Sequence, residues 1–528
     1  MSASGWLRSP WPWRVPALCL FMGASLLPLL PSIAPLFSFE GWAGILDPRR
    51  ASRLLETAGL AGATAGLAMA WGLPTAILAS RILIPGRRIL ALLLPLPLLL
   101  PPLLLAQAWH GMTGMDGRWA AVFVLGLAFA PLPALLACRA LRGQGATSHE
   151  AALLSGGPLG ALLEMLRIAS PATFLGGALA FLLAAGDFAV PDYFGTVGPG
   201  FGVYAAEIFN AWRDWNTQGS PLSAGLAAAA PLILLTGAVL YLALRNPLGH
   251  GVEGEGARRP ALLQPGRASA PLALLGLFLG SALIILPLGR VFWETGIAGP
   301  LADGTWTSRS LDAFSQAFER GRTDLLRSLF TGCMAGVFVL GVAPFLAHLV
   351  PKGRPGIITR AVMAMAALPL LVPGVATGLG AVRVFHRPGW EAFYEGPLLP
   401  ALILGGRFLP LAVFLIAERM ARAPRANEEA GMLAGLSYPA RIYHCSLGSD
   451  KGALLLAAGL VAVFSFRELD LAVLLPAANA SAAVRYYNAL HFARDSFVAA
   501  LGILMAFLLF LPVALFQASA LLSRGKRT

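Results

Sequence analysis

Few side chains in this 528-residue chain can do chemistry, and several of them stand where charge is costly. Asp187 falls in the apolar context GDFAVPDYFG and Glu468 in SFRELDLAVLLP, with Asp192, Arg467 and Asp470 close by. Ionised groups in apolar surroundings are expensive, so each is a candidate for lining the path of a polar or charged solute. Asp187 lies sixteen residues beyond Pro171, and Glu468 seventeen beyond Lys451. Both acids therefore fall about 24 Å along a helix from one end, which makes them candidates to flank one path. The competing reading is structural: a carboxylate near a helix end reaches interfacial water or pairs with an arginine, and Arg467 is the neighbour at hand for Glu468. Arg407, in GGRFLP, reads as the partner of an acid or as a snorkelling side chain.

Covalent chemistry has no comparable foothold. A phosphate loop needs Gly-Lys-Ser/Thr, but the three lysines Lys352, Lys451 and Lys526 precede Gly353, Gly452 and Arg527. No HExxH, CxxC or GxSxG occurs, so metalloprotease, redox and serine-hydrolase chemistry have no motif. Cys19, Cys138, Cys333 and Cys445 lie far apart and read as apolar packing residues. No catalytic residue, resident metal or cofactor is expected, and the chain reads as a non-enzyme.

The elements that must position these charges are membrane helices. Hydrophobic residues make up 57% of the chain and charged ones 12%, with 59 Gly and 40 Pro and a mean hydropathy of +0.72. That composition excludes a soluble enzyme, a disordered chain and a disulfide scaffold, and implies an all-α polytopic membrane protein. Runs long enough to cross a bilayer fall near 15–37, 54–80, 89–109, 119–141, 171–195, 222–244, 271–293, 325–350, 357–382, 397–417, 452–476 and 496–522, twelve in all. The Pro-rich run 95–102 implies a kink or a broken helix. The net charge of +13 reads as the cytoplasmic bias of Lys and Arg, not as nucleic-acid binding. Arg81, Arg87, Arg88, Arg245, Lys352, Arg354, Arg360, Arg419, Arg422, Arg425, Lys526 and Arg527 place both termini in the cytoplasm. Tyr486, Tyr487, His491, Trp212 and Trp215 then fall in or near outer loops, where aromatics anchor the interface.

The polar segment 249–270 reads as a cytoplasmic linker between two six-span halves, 1–248 and 271–528. An internal repeat supports two six-span halves. Phe129, Pro131 and Leu132 recur as Phe408, Pro410 and Leu411 at an offset of 279. Upstream, Pro97-Leu-Leu-Leu-Pro101 recurs as Pro369-Leu-Leu-Val-Pro373 at an offset of 272. The offset of 279 also carries Ser148-His149-Glu150-Ala151 onto Asn427-Glu428-Glu429-Ala430, and Gly156 onto Gly435, in a loop on the cytoplasmic side. Ser148 and Asn427 read as N-caps, with Glu150 and Glu429 in the first helical turn and Gly156 and Gly435 as left-handed stops. The small residues Ala151, Ala152, Ala430 and Gly431 leave room for another protein to approach.

This loop resembles the EAA loop of binding-protein-dependent ABC importer permeases, the MetI-like family. The family pattern is Glu-Ala-Ala, three residues, Gly, nine residues, then an apolar-x-Leu-Pro ending. The first copy keeps Glu150, Ala151, Ala152 and Gly156 and ends Leu166-Arg167-Ile168-Ala169, with Ala for Pro; the second keeps Glu429, Ala430 and Gly435, with Gly431 for the second Ala and departures at Cys445 and Gly448 in the ending. The resemblance implies that these residues couple to an ATPase subunit dimer, and that a periplasmic substrate-binding protein docks on outer loops including 294–323. The Asp-Phe at Asp187 and the Arg-Glu-Leu at Arg467 look like those of fused two-domain permeases of ferric-iron importers. A bacterial inner-membrane permease passing ferric iron to the cytoplasm is the expectation. Thiamine, aminoethylphosphonate and polyamine permeases share the layout, and an ATP-independent secondary transporter would also have twelve spans and midplane charges.

Overall fold

The computed structural model describes residues 9–38, 42, 47–143, 145–214, 220–245, 262–297, 304–350, 365–421, 423–448, 452–492 and 495–525. Among the described residues the chain is helical, and the one pairing outside helices is an isolated parallel bridge between Ile82 and Leu263. Proline sets many of the breaks. In α1 (Trp11–Phe37) Pro28, Pro31 and Pro35 each stand in the first turn of a short helical piece, after a π turn at Met22–Leu26. α2 (Pro48–Ser80) begins where the Asp47 carboxylate accepts a bond from the Arg49 N–H. α3 (Arg87–Leu99) and α4 (Pro102–Thr113) meet at 107°. The next elements are α5 (Gly117–Arg142), α6 (Ala146–Gly186), α7 (Ala189–Val197), α8 (Tyr204–Arg213), α9 (Pro221–Ala243), α10 (Gly266–Glu294) and α11 (Trp306–Ala347). α12 (Met365–Leu371) and α13 (Gly374–Phe385) again meet at 107°. They are followed by α14 (Leu398–Ala421), α15 (Arg425–Leu433), α16 (Gly452–Arg467), α17 (Ala482–His491) and α18 (Asp495–Gly525).

The two bends have one cause. Pro101 and Pro373 sit extended at ψ 130° and 148° directly before α4 and α13. A proline offers no N–H and drives its predecessor out of the helical region, so the chain turns there. The break expected in the run 95–102 is present, and its counterpart lies 272 residues on, with the same angle.

Among the described residues eight helices are long and apolar enough to cross a membrane, or up to ten when each bent pair is one span. The expected runs 452–476 and 496–522 correspond to the shorter apolar helices Gly452–Arg467 and Ser496–Leu511. The first of these ends early because the chain leaves the helix at Glu468. Lys352, Arg354, Arg360, Arg422, Lys451, Lys526, Arg527, Trp215 and most of the linker 249–270 lie outside the described residues.

The chain forms two compact units, neither of them a contiguous stretch. Unit A comprises 44–207, 231–320 and 486–528; unit B comprises 1–43, 208–230 and 321–485. In unit A, α10 packs on helices from the other side of the linker, and the Trp71 indole N–H donates to Leu279 O at 3.3 Å. The core joins Ala76, Ala134, Met165 and Leu283. A Cβ on Gly176 would clash with the Pro133 backbone, so only glycine lets α6 approach α5 this closely. In unit B, α1 packs on α13 and α14. Ser25 Oγ donates to Gly406 O at 2.8 Å and Ser32 Oγ to Ala376 O at 2.7 Å, each worth roughly 0.6 kcal/mol between membrane helices.

Candidate functional site: two matched loops and the charged helix breaks

The loop helices begin earlier than Ser148 and Asn427. Gly145 and Pro424 already hold the extended cap conformation, so α6 starts at Ala146 and α15 at Arg425. Ser148 lies inside the first turn, where its hydroxyl donates to Gly145 O at 3.2 Å. Glu150 and Glu429 consequently fall one position past the first turn. Gly435 has φ 73° and stops α15, as expected, but in the first copy the non-helical glycine is Gly157 (φ 59°, ψ −153°), one residue after Gly156.

The two loops present the same face. Glu150, Ala151 and Gly156 are exposed and Ala152 half-buried; Glu429 and Ala430 are exposed and Gly435 half-buried. One helical turn beyond each glutamate stands a leucine, Leu154 at 89% and Leu433 at 90% exposure. They are 279 residues apart, the repeat offset. Gly431, buried, explains the departure from Ala: a Cβ there would come 2.6 Å from Cys445 Sγ.

The residue before each glutamate is less exposed than the glutamate itself. His149 is 1% exposed. Its counterpart Glu428 accepts from His348 Nε2 at 2.9 Å. His348 Nδ1 lies 3.2 Å from Arg14 Nη2 and 3.1 Å from the Tyr438 hydroxyl, and Arg14 Nε donates to that hydroxyl at 2.8 Å. An arginine N–H can only donate, so Nδ1 accepts and Nε2 carries the proton offered to Glu428. Within unit B this network fastens α15 to α1 and to the turn that follows α11.

Asp187 and Glu468 occupy the same kind of place, the first residue after an apolar helix, α6 in unit A and α16 in unit B. Asp187 Oδ1 accepts from the Val190 N–H at 3.0 Å and so caps α7. Glu468 Oε1 lies 3.6 Å from Arg407 Nε. Arg407 also donates to Val372 O at 2.8 Å and Thr377 Oγ1 at 3.1 Å, which fixes the second bend. Gly374 leaves room for this cluster: a Cβ there would lie 2.8 Å from both Glu468 Oε1 and Asp470 Cβ. The Arg467 guanidinium stacks over the Phe464 ring at 4.4 Å.

Asp192, on α7, meets α17. The Tyr487 hydroxyl donates to Asp192 Oδ2 at 2.6 Å, and His491 Nε2 lies 3.2 Å from the same oxygen. His491 Nδ1 faces the Tyr487 carbonyl at 2.9 Å. Both ring nitrogens thus face acceptors, and the bond to Asp192 pushes the His491 pKa above its ordinary value, against the burial that lowers it. Tyr486 is no interfacial anchor: it is 1% exposed and donates to Gln107 Oε1. Gln107 in turn donates to Glu294 Oε1 at 3.3 Å, and Glu294 pairs with Arg290 at 3.0 Å. Among the described residues no group of three or more His, Cys, Asp or Glu converges as a metal site.

The expected path residues therefore divide between the units, Asp187 and Asp192 in A, Arg467, Glu468 and Asp470 in B. Sequence reasoning missed Leu154 and Leu433, although the repeat offset marks both. It also missed Gln107, Glu294 and the His348 network, whose partners are up to 424 residues apart. No family model and no curated protein matches this chain.

Proposed function

We propose that the chain is the inner-membrane permease of a binding-protein-dependent ABC importer, two fused six-span halves that pass ferric iron from periplasm to cytoplasm. The observation that carries the reading is the pair of matched exposed faces, Glu150 with Leu154 before the kink at Gly157 in α6, and Glu429 with Leu433 on α15 before Gly435. An exposed leucine beside an exposed glutamate, twice at one offset, fits two identical surfaces of an ATPase dimer. Twelve spans follow if the eight long helices, the two bent pairs and the two shorter apolar helices all cross. With both termini inside, the loops around Glu150 and Glu429 face the cytoplasm, and the segment 294–323, which is helical from Trp306 onward rather than a loop, meets the periplasmic binding protein.

In this mechanism the ATPase dimer closes on ATP and draws the two loops together. α15 passes that motion to α1 and to the turn after α11 through His348, and in the first copy the motion crosses the kink at Gly157 into the rest of α6. Ferric iron is a hard cation that favours oxygen donors, and in this reading the carboxylates of Asp187 and Asp192 offer them in unit A and those of Glu468 and Asp470 in unit B.

The test is reconstitution with candidate ATPase subunits. Glu150→Gln with Glu429→Gln, and separately Leu154→Asp with Leu433→Asp, should reduce ATPase co-purification and ATP-driven uptake at least tenfold. Undiminished binding and uptake would reject the docking assignment. Uptake by the chain alone would make it a secondary transporter. A binding protein loaded with thiamine, aminoethylphosphonate or a polyamine would replace the cargo and leave the permease reading in place.

A further inference from the structure

We propose that Asp192, Tyr487 and His491 form a transit site for the ferric cation within unit A, and the proposal rests on the ferric-iron reading above. Three donor atoms from two helices already converge. Tyr487 OH and His491 Nε2 lie 2.6 and 3.2 Å from one carboxylate oxygen, Asp192 Oδ2. Donors set at right angles about 2.1 Å from a metal stand about 3 Å apart, so the present spacing is close to that of a coordination shell. Two protons hold the group together now, one on the phenol and one on imidazole Nε2. A bound cation takes the place of both and releases them.

The chemistry of the donors suits a hard trivalent ion. A carboxylate and a phenolate are anionic oxygen ligands, and imidazole serves iron as well. The histidine is oriented as a ligand would be. Its Nδ1–H donates to the Tyr487 carbonyl at 2.9 Å, which fixes the tautomer and turns Nε2 outward, the usual outer-shell arrangement of metal-binding histidines. The phenol ring is held edge-on by Phe188 at 5.8 Å. Asp187 caps the helix that carries Asp192, so the first expected path acid positions the second.

The site is built for passage, not residence. Asp192 and Tyr487 are half-buried and His491 exposed, so water or a carried chelate can complete the shell. Three protein donors, with no further His, Cys, Asp or Glu grouped with them among the described residues, leave the ion exchangeable. The placement gives α17, which sequence reasoning read only as an interfacial element, a direct part in handling the cargo.

Titration of the purified full-length chain with ferric nitrilotriacetate tests the proposal through the visible phenolate-to-iron charge-transfer band. The wild-type chain should develop the band. Tyr487→Phe, which keeps the ring packed on Phe188, should lose it. Asp192→Asn and His491→Gln should weaken binding at least tenfold, with the thermal unfolding midpoint reporting that each variant remains folded. No band in the wild type, or an equal band in Tyr487→Phe, overturns the site. Uptake of radiolabelled iron by the complete transporter is read separately. Iron uptake without the band removes the site and leaves the function; the band without iron uptake keeps the site as an iron-binding one and removes the cargo.

Discussion

Single side chains in this protein are fixed by what their neighbours leave open. At Gly431 the gap to Cys445 admits no methyl group: the added Cβ would lie 2.6 Å from Sγ. Gly431→Ala is therefore expected to cost about 1–3 kcal/mol as an overpacking change. Cys445→Ala should relieve most of it, and a double-mutant cycle on thermal stability in detergent measures that coupling. Additive effects would show that the two residues do not press on each other. A buried charge behaves differently. Arg407 serves Glu468, Val372 O and Thr377 at once, and removing one partner of a buried pair costs about 3–5 kcal/mol. Arg407→Leu is expected to lose stability of that order. Glu468→Gln should lose less, because Arg407 keeps both of its hydrogen bonds. Equal losses would mean that the ion pair, and not the bonds to the bend, holds this part of unit B.

At the scale of elements, helix ends were legible where one residue type dictates them. Proline predicted the break in 95–102, and the repeat carried it to Pro373, because a missing N–H acts locally whatever surrounds it. α6 and α15 start ahead of the residues whose types suit a cap. Ser148 and Asn427 can cap, but Gly145 and Pro424 reach the extended conformation first, and the chain enters the helix at the earlier opportunity. The left-handed glycine was misplaced by one residue, since Gly156 and Gly157 are adjacent and identical and only packing chooses between them. That choice gives a direct test. Gly157 at φ 59°, ψ −153° is a conformation essentially closed to other residues, so Gly157→Ala should cost about 1–3 kcal/mol. Gly156→Ala has no atom within 4 Å of its new methyl group and should be neutral or slightly stabilising. ATP-driven uptake and thermal midpoints for the two variants check this; equal effects would place the break elsewhere. The Asp192–Tyr487–His491 group lay beyond sequence reasoning for a different reason. Asp192 is about 300 residues from the other two, and no local pattern marks residues that only tertiary packing brings together.

For the whole molecule, order along the chain and order in space diverge. The segments read as opening each half, 15–37 and 271–293, pack on elements from the opposite side of the linker: α1 on α13 and α14 in unit B, α10 on α2 and α4 in unit A. Each unit thus takes part of its core from beyond residues 249–270. A chain cut between Arg245 and Leu262 separates both units from helices they need. Either fragment alone loses every pairing that crosses the cut: in the first, Ser25 Oγ and Trp71 Nε1 are left without their acceptors, and in the second, Gly406 loses the Ala24 backbone it packs against. Fragments expressed singly are therefore expected to be degraded or to aggregate. The same fragments expressed together should co-purify and recover a thermal midpoint close to that of the intact chain, because the contacts that define each unit reform between them. Size-exclusion chromatography after pull-down through one tagged fragment provides the measurement. Fragments that are each stable and monodisperse alone would show that the halves fold independently and that the exchanged helices contribute little to either unit.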